Sequence, residues 1–420
     1  MKRLCKLIGA CTSAAIVAAC GGSNNGFPSL TPLSVAQRIG VRKSSAGVIY
    51  SFKGGTGDGS APEAGLLDDK DALYSTTREG GEYCESGSYD GCGTIFAITT
   101  SGKETVLHSF RGRPGDGADP FAGLINVNGT LYGTTGEGGA YDAGTVFSIT
   151  TSGRETVLYS FKGGSADGEI PEAGLLNVKG TLYGTTANGG SGFCLRGKSD
   201  VGCGTVFSIT TSGAETVLYS FKGHSGDGAN PFAGLVNVKG TLYGTTWSGG
   251  ERRCYKHASC GTVFAVTTSG KETMIYRFKG GPGDGEHPSA GLINVNGTLY
   301  GTTLEGGELG CGTIFAMTTS GKETRLYSFK GEPADGARPP ASLLNFNGTL
   351  YGTTALGGAN DAGTVFSVTT SGTETVLYSF TGGGDGTEPY AGLTQVDGTL
   401  YGTTVGGGAY FVGTVFSLSP

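Results

Sequence analysis

Charge is scarce in this sequence. Asp, Glu, Lys and Arg make up 15% of its 420 residues, with a net charge of −6 and a pI near 5.4. A mildly acidic chain with no basic cluster argues against nucleic acid as a main partner. Long apolar runs are lacking too. The most apolar stretch, residues 7–19, is too short to cross a bilayer. Helical periodicity is absent beyond the N-terminal segment. No nucleophile elbow, phosphate loop or His-Glu-x-x-His pair is present. His108, His224, His257 and His287 are scattered, and His108 reads as structure because it replaces a repeated Tyr. Nothing here calls for a cofactor or a metal, and an enzyme is the less expected reading.

Glycine, by contrast, fills 82 of 420 positions, against a usual share of about 7%. The glycines recur at fixed offsets between apolar, aromatic and β-branched runs, which reads as short strands and tight turns rather than disorder. The element Gly-Thr-Val/Ile-Phe begins at Gly93, Gly144, Gly204, Gly261, Gly312, Gly363 and Gly413, with spacings of 51, 60, 57, 51, 51 and 50. A period near 50 with four strand-like runs belongs to propeller blades. In one unit the runs are 122–127, 130–134, 145–150 and 155–161. Asn128-Gly129 supplies a two-residue hairpin turn, and Thr151-Ser152-Gly153 another short one.

The ends specify the architecture. The first strand, 48–52, matches the fourth run, and the last, 414–418, matches the third. The final blade therefore lacks an outer strand that the N-terminus can provide. Pairing the two closes the ring and removes a sheet edge. The expectation is an all-β, seven-bladed β-propeller with four-stranded blades over 47–420.

The N-terminus carries a separate signal. Lys2, Arg3 and Lys6 precede the apolar stretch, which ends in Val17-Ala18-Ala19-Cys20. This resembles the bacterial lipobox, which implies a signal peptide over 1–19, lipidation of Cys20 and a flexible tether over 20–46. Gly21, not Asp, after the Cys implies by the same resemblance the outer membrane, on a side left undetermined. The alternative is an ordinary secretory peptide cleaved near Ala19. Cysteine usage agrees with export. Cys84/Cys92, Cys194/Cys203 and Cys254/Cys260 each fall within one loop and read as disulfides; no loop holds four ligands at zinc spacing. Cys311 sits at the loop-end position of Cys92, Cys203 and Cys260, with no second Cys in its loop.

The motifs Gly-Thr-Val-Phe-Ser, Tyr-Ser-Phe and Gly-Thr-Leu-Tyr-Gly-Thr-Thr resemble the bacterial GloVer tandem repeat from about Val48 to Pro420. Related proteins are choice-of-anchor proteins with varied surface-sorting signals. The resemblance implies fold and anchoring and carries no activity.

Differences among near-identical repeats cannot be required by the fold, so they mark candidate sites. If the N-terminal strand is outermost, the short turns share one face. The inter-blade linkers share the other with the loops joining second and third strands, which are long only at 78–92, 187–203 and 247–260. Variable loops on a rigid scaffold are where binding sites are built. The residue after each linker Pro is Glu63, Phe121, Glu172, Phe232, Ser289, Pro340 or Tyr390. At the channel mouth, such rings and carboxylates could grip a sugar or peptide; a solvated rim is the plainer alternative. Glu63 and Glu172 as acid and base in glycoside chemistry would need a suitable separation, and alternate blades are expected to hold them too far apart. A second set, Trp247, Arg252, Arg253 and Tyr255, has the residue types of interface anchors; a solvated loop covering a blade edge is its alternative. The Asp-Gly linker pairs, Asp58 to Asp385, suggest tight turns rather than calcium, since each offers one Asp. The leading expectation is a lipid-anchored module binding an unknown protein or glycan. The alternatives are a polysaccharide-processing enzyme at the mouth and a structural surface protein.

Overall fold

A computed structural model describes residues 46–70, 72–82, 84, 90–197, 199–223, 226–250, 254 and 259–420. The expected signal peptide and Cys20 lie outside the described residues, as does the expected tether up to residue 45. The described residues form seven four-stranded antiparallel sheets joined by short linkers. In one blade the order from outside inwards is Glu155–Ser160, Thr145–Thr150, Thr130–Thr135, Ile125–Val127. The expected inner strand 122–127 is shorter than read. Only its second half joins the ladder, because the preceding Ala-Gly-Leu backbone packs against its counterparts in neighbouring blades. A Cβ added at Gly123 would lie 2.9 Å from the Gly65 carbonyl oxygen.

The closing strand is Ala46–Ser51, and it pairs antiparallel with Thr414–Leu418 as the outer strand of blade seven. Two repeated contacts run around the ring and include this closure. The outer-strand Phe of each blade packs edge-on against the third-strand Phe of the next, as in Phe161–Phe207 at 5.1 Å and Phe380–Phe416 at 5.1 Å. Phe52–Phe96, at 5.1 Å, completes the set. A Thr near the end of each second strand donates to a carbonyl of the next blade's linker. Thr134 reaches Ala173 at 3.0 Å, and Thr403 returns to Ala64 at 3.3 Å across 339 positions. Buried wedges of Phe, Leu, Val and Ile between blades make the core.

The Asp-Gly linkers have a structural task. Asp167 accepts from Tyr159 Oη at 2.8 Å, Lys162 N at 2.8 Å and Gly168 N at 2.7 Å. The same three-donor arrangement recurs around Asp58, Asp227, Asp284 and Asp335. Each linker Pro then abuts the Gly that opens a third strand. Gly144 has φ +95°, and an added Cβ would meet Pro171 Cδ at 2.4 Å, so only Gly fits there. All three cysteine pairs are bonded. No helix among the described residues is long and apolar enough to cross a membrane.

Candidate functional site

The residue before each linker Pro has positive φ in every blade: Ala61, Asp119, Ile170, Asn230, His287, Arg338 and Glu388 lie between 52° and 60°. That region is uncommon for non-Gly residues and unusual for a β-branched one such as Ile170. Its repetition makes it part of the architecture. Two hydrogen bonds hold the bend. The residue's N–H donates to the end of the preceding blade's long loop, as His287 N does to Cys260 O at 3.0 Å. Its carbonyl accepts from the residue just past the second strand, as Asn230 O does from Trp247 N at 3.0 Å. The positions before Pro, after Pro and after the second strand are thereby fixed side by side. At these positions the residue type changes from repeat to repeat.

Two clusters result. In blades one to three, Arg78 Nη1 donates to Glu63 Oε1 at 3.1 Å, and its guanidinium lies over the Phe121 ring at 4.9 Å. Both contacts suit a cation held against an aromatic face and a carboxylate. Burial pushes the Glu63 carboxyl up, with Arg78 opposing. Burial, then the charge of Glu137, raises Asp119 to about 7. Burial, then the charge of Glu63, raises Glu172 to about 7, with Arg78 and Arg196 opposing. These three side chains are partly buried and keep some solvent contact.

In blades four to six, Phe232 packs edge-on against Trp247 at 5.9 Å, and Trp247 stacks on His287 at 4.6 Å. His287 Nδ1 faces Glu305 Oε2 at 3.5 Å, and Arg338 Nη2 donates to Glu305 Oε1 at 3.2 Å. The two sequence-derived sets, the residues after Pro and the Trp247 loop, therefore meet through Phe232 and Trp247. Tyr390 is 42% exposed in blade seven. Arg252, Arg253 and Tyr255 lie outside the described residues. Glu286, His287 and Glu305 place three potential ligand atoms within 4.8 Å of one another. Two of these side chains already serve the protein, Glu286 taking Gly281 N at 2.6 Å and Glu305 taking Arg338.

Arg78, Asp119, His287, Glu305 and Arg338 were missed by sequence reasoning. The signal existed: the rule that flagged the residue after Pro applies equally to the residue before it and to those following Gly-Thr-Leu-Tyr-Gly-Thr-Thr.

No curated protein matches the chain. Similar solved structures include the tricorn protease, at 10% identity and TM-score 0.41, covering 80% of this chain and 27% of that one. A puromycin hydrolase gives 11%, 0.48, 80% and 49%, and Kuenenia stuttgartiensis hydrazine synthase 12%, 0.48, 83% and 94%. This chain thus spans about a quarter of the tricorn protease chain. The Gloeobacter/Verrucomicrobia repeat model matches residues 35–195 and 192–416. That covers nearly the whole propeller, and the chain belongs to the Gloeobacter/Verrucomicrobia repeat family.

Proposed function

We propose that this protein is an exported, lipid-anchored binding propeller whose ligand seats on the channel mouth of the loop face. The observation that carries this reading is the coincidence of sequence variation with geometry. Seven near-identical blades differ in residue type at the positions where their backbones are bent to positive φ and at the positions fixed beside that bend. Aromatic faces at Phe121, Phe232, Trp247 and Tyr390 would stack on sugar rings or apolar side chains. Glu63, Asp119 and Glu172 would accept hydrogen bonds from hydroxyl or ammonium groups. The bonded cysteine pairs support export to an oxidising compartment. Glycan and peptide arrays probed with the full chain test the reading. Signals for one ligand class, lost in Trp247→Ala, are expected; binding unchanged when all three long loops are cut to eight residues would sink it. Palmitate labelling that survives Cys20→Ala would sink the anchor.

A catalytic mouth is the second reading, and one observation favours it. Glu172 is raised to about 7 while Glu63 is paired with Arg78. A carboxyl group that keeps its proton near neutral pH is what general acid chemistry on glycosides uses. Polysaccharide cleavage products that vanish in Glu172→Gln would establish it, and their absence from a broad polysaccharide panel would remove it.

A further inference from the structure

One blade boundary differs from its equivalents in a chemically pointed way. At six boundaries the outer-strand Tyr donates to the linker Asp, at five of them beside the Glu that opens the next outer strand. Tyr219, Asp227 and Glu272 are one such group. Between blades one and two the Tyr is replaced by His108, whose Nε2 lies 3.1 Å from Asp116 Oδ2. Glu155 completes the group. A phenol at this position is a poor ligand for a divalent ion, whereas an imidazole with two carboxylates is a good one.

We propose that His108, Asp116 and Glu155 bind a divalent transition-metal ion, with Zn2+ as the reference probe. Their ligand atoms all lie within 4.8 Å of one another. A tetrahedral zinc site with bonds near 2.1 Å has ligand edges of roughly 3.4 Å. The His108–Asp116 separation already meets this, and rotation of the Glu155 side chain closes the rest. The second observation is Glu155 Oε1, which is buried with no hydrogen-bond partner. A metal would satisfy that oxygen. The same oxygen is unsatisfied at several other boundaries, but there it has no imidazole beside it.

The surroundings fit a metal site. Asp116 Oδ2 also accepts from Arg111 N at 3.0 Å, and Oδ1 from Gly117 N at 2.7 Å. Such outer hydrogen bonds orient a ligating carboxylate. His108 is braced edge-on by Phe110 at 4.9 Å. Side-chain exposures of 22% for His108 and 17% for Asp116 leave a path for the ion and a position for water. A purely structural His would use only its hydrogen bond to Asp116 and would be replaceable by Tyr without loss.

That replacement is the test. His108→Tyr restores the repeat residue, so the variant is expected to fold. Zn2+ is titrated calorimetrically into the metal-stripped full chain, and into His108→Tyr and Glu155→Gln. The expected result is one more bound Zn2+ in wild type than in His108→Tyr, with the site at least tenfold weaker in Glu155→Gln. Equal zinc stoichiometry and affinity in wild type and His108→Tyr would overturn the proposal, as would no zinc uptake by wild type.

Discussion

The indole of Trp247 lies nearly parallel to the imidazole of His287, ring centroids 4.6 Å apart and planes 14° apart. The two residues belong to adjacent blades, so the stack bridges a blade boundary. Trp247 is the only tryptophan in the sequence, and its fluorescence therefore reports on this one place. His287→Ala should shift the emission spectrum without unfolding the chain. An unshifted spectrum would mean that the stack does not persist in solution.

Ring closure predicts a symmetry of energies. Phe52 and Phe380 are both fully buried and make the same edge-on contact across a blade boundary. Each Phe→Ala change should cost about 3–5 kcal/mol, measured by urea unfolding. In an open array Phe52 would be peripheral, and Phe52→Ala would be far milder than Phe380→Ala.

Acidity should stabilise the ring. Burial, reinforced by the neighbouring linker Asp, raises Glu104, Glu155, Glu215, Glu272, Glu323 and Glu374 from 4.5 to about 7. A raised carboxyl pKa means that the folded state holds protons the unfolded state has released. Stability from these groups is present below about 4.5 and is lost as pH rises through 7. The urea midpoint should therefore be higher at pH 5.5 than at pH 8. Replacing the six Glu by Gln should flatten that difference. The seventh boundary has its own control: Ala46 pairs with Leu418 at the register where Glu155 pairs with Ile149. A midpoint that rises with pH would contradict the assignment.

The sequence and the structure agree most where repetition carries the information. The strand permutation revealed closure, because 48–52 matched a fourth run and 414–418 a third. The Asp-Gly linkers read as turns, and the three donors on Asp167 explain why. The candidate site was half legible. Residues after Pro stood out by their variety, but the bend before Pro is a backbone angle that composition does not encode. No local pattern announces that residue types as different as Ile170 and His287 share it. The meeting of Phe232 with Trp247, and of His108 with Glu155, depends on which blade faces which, and only the closed ring supplies that.

The proposed ligand site is the mouth and not the opposite face. Its most direct measurement compares affinity for one array-identified ligand across matched variants of the two faces. Phe232→Ala, Trp247→Ala and Glu172→Gln alter the mouth; Ser152→Ala and Asn294→Ala alter the short turns. Binding at the mouth predicts at least tenfold weaker affinity for each mouth variant and no change for the turn variants. Affinity lost on the turn face and kept at the mouth would contradict it.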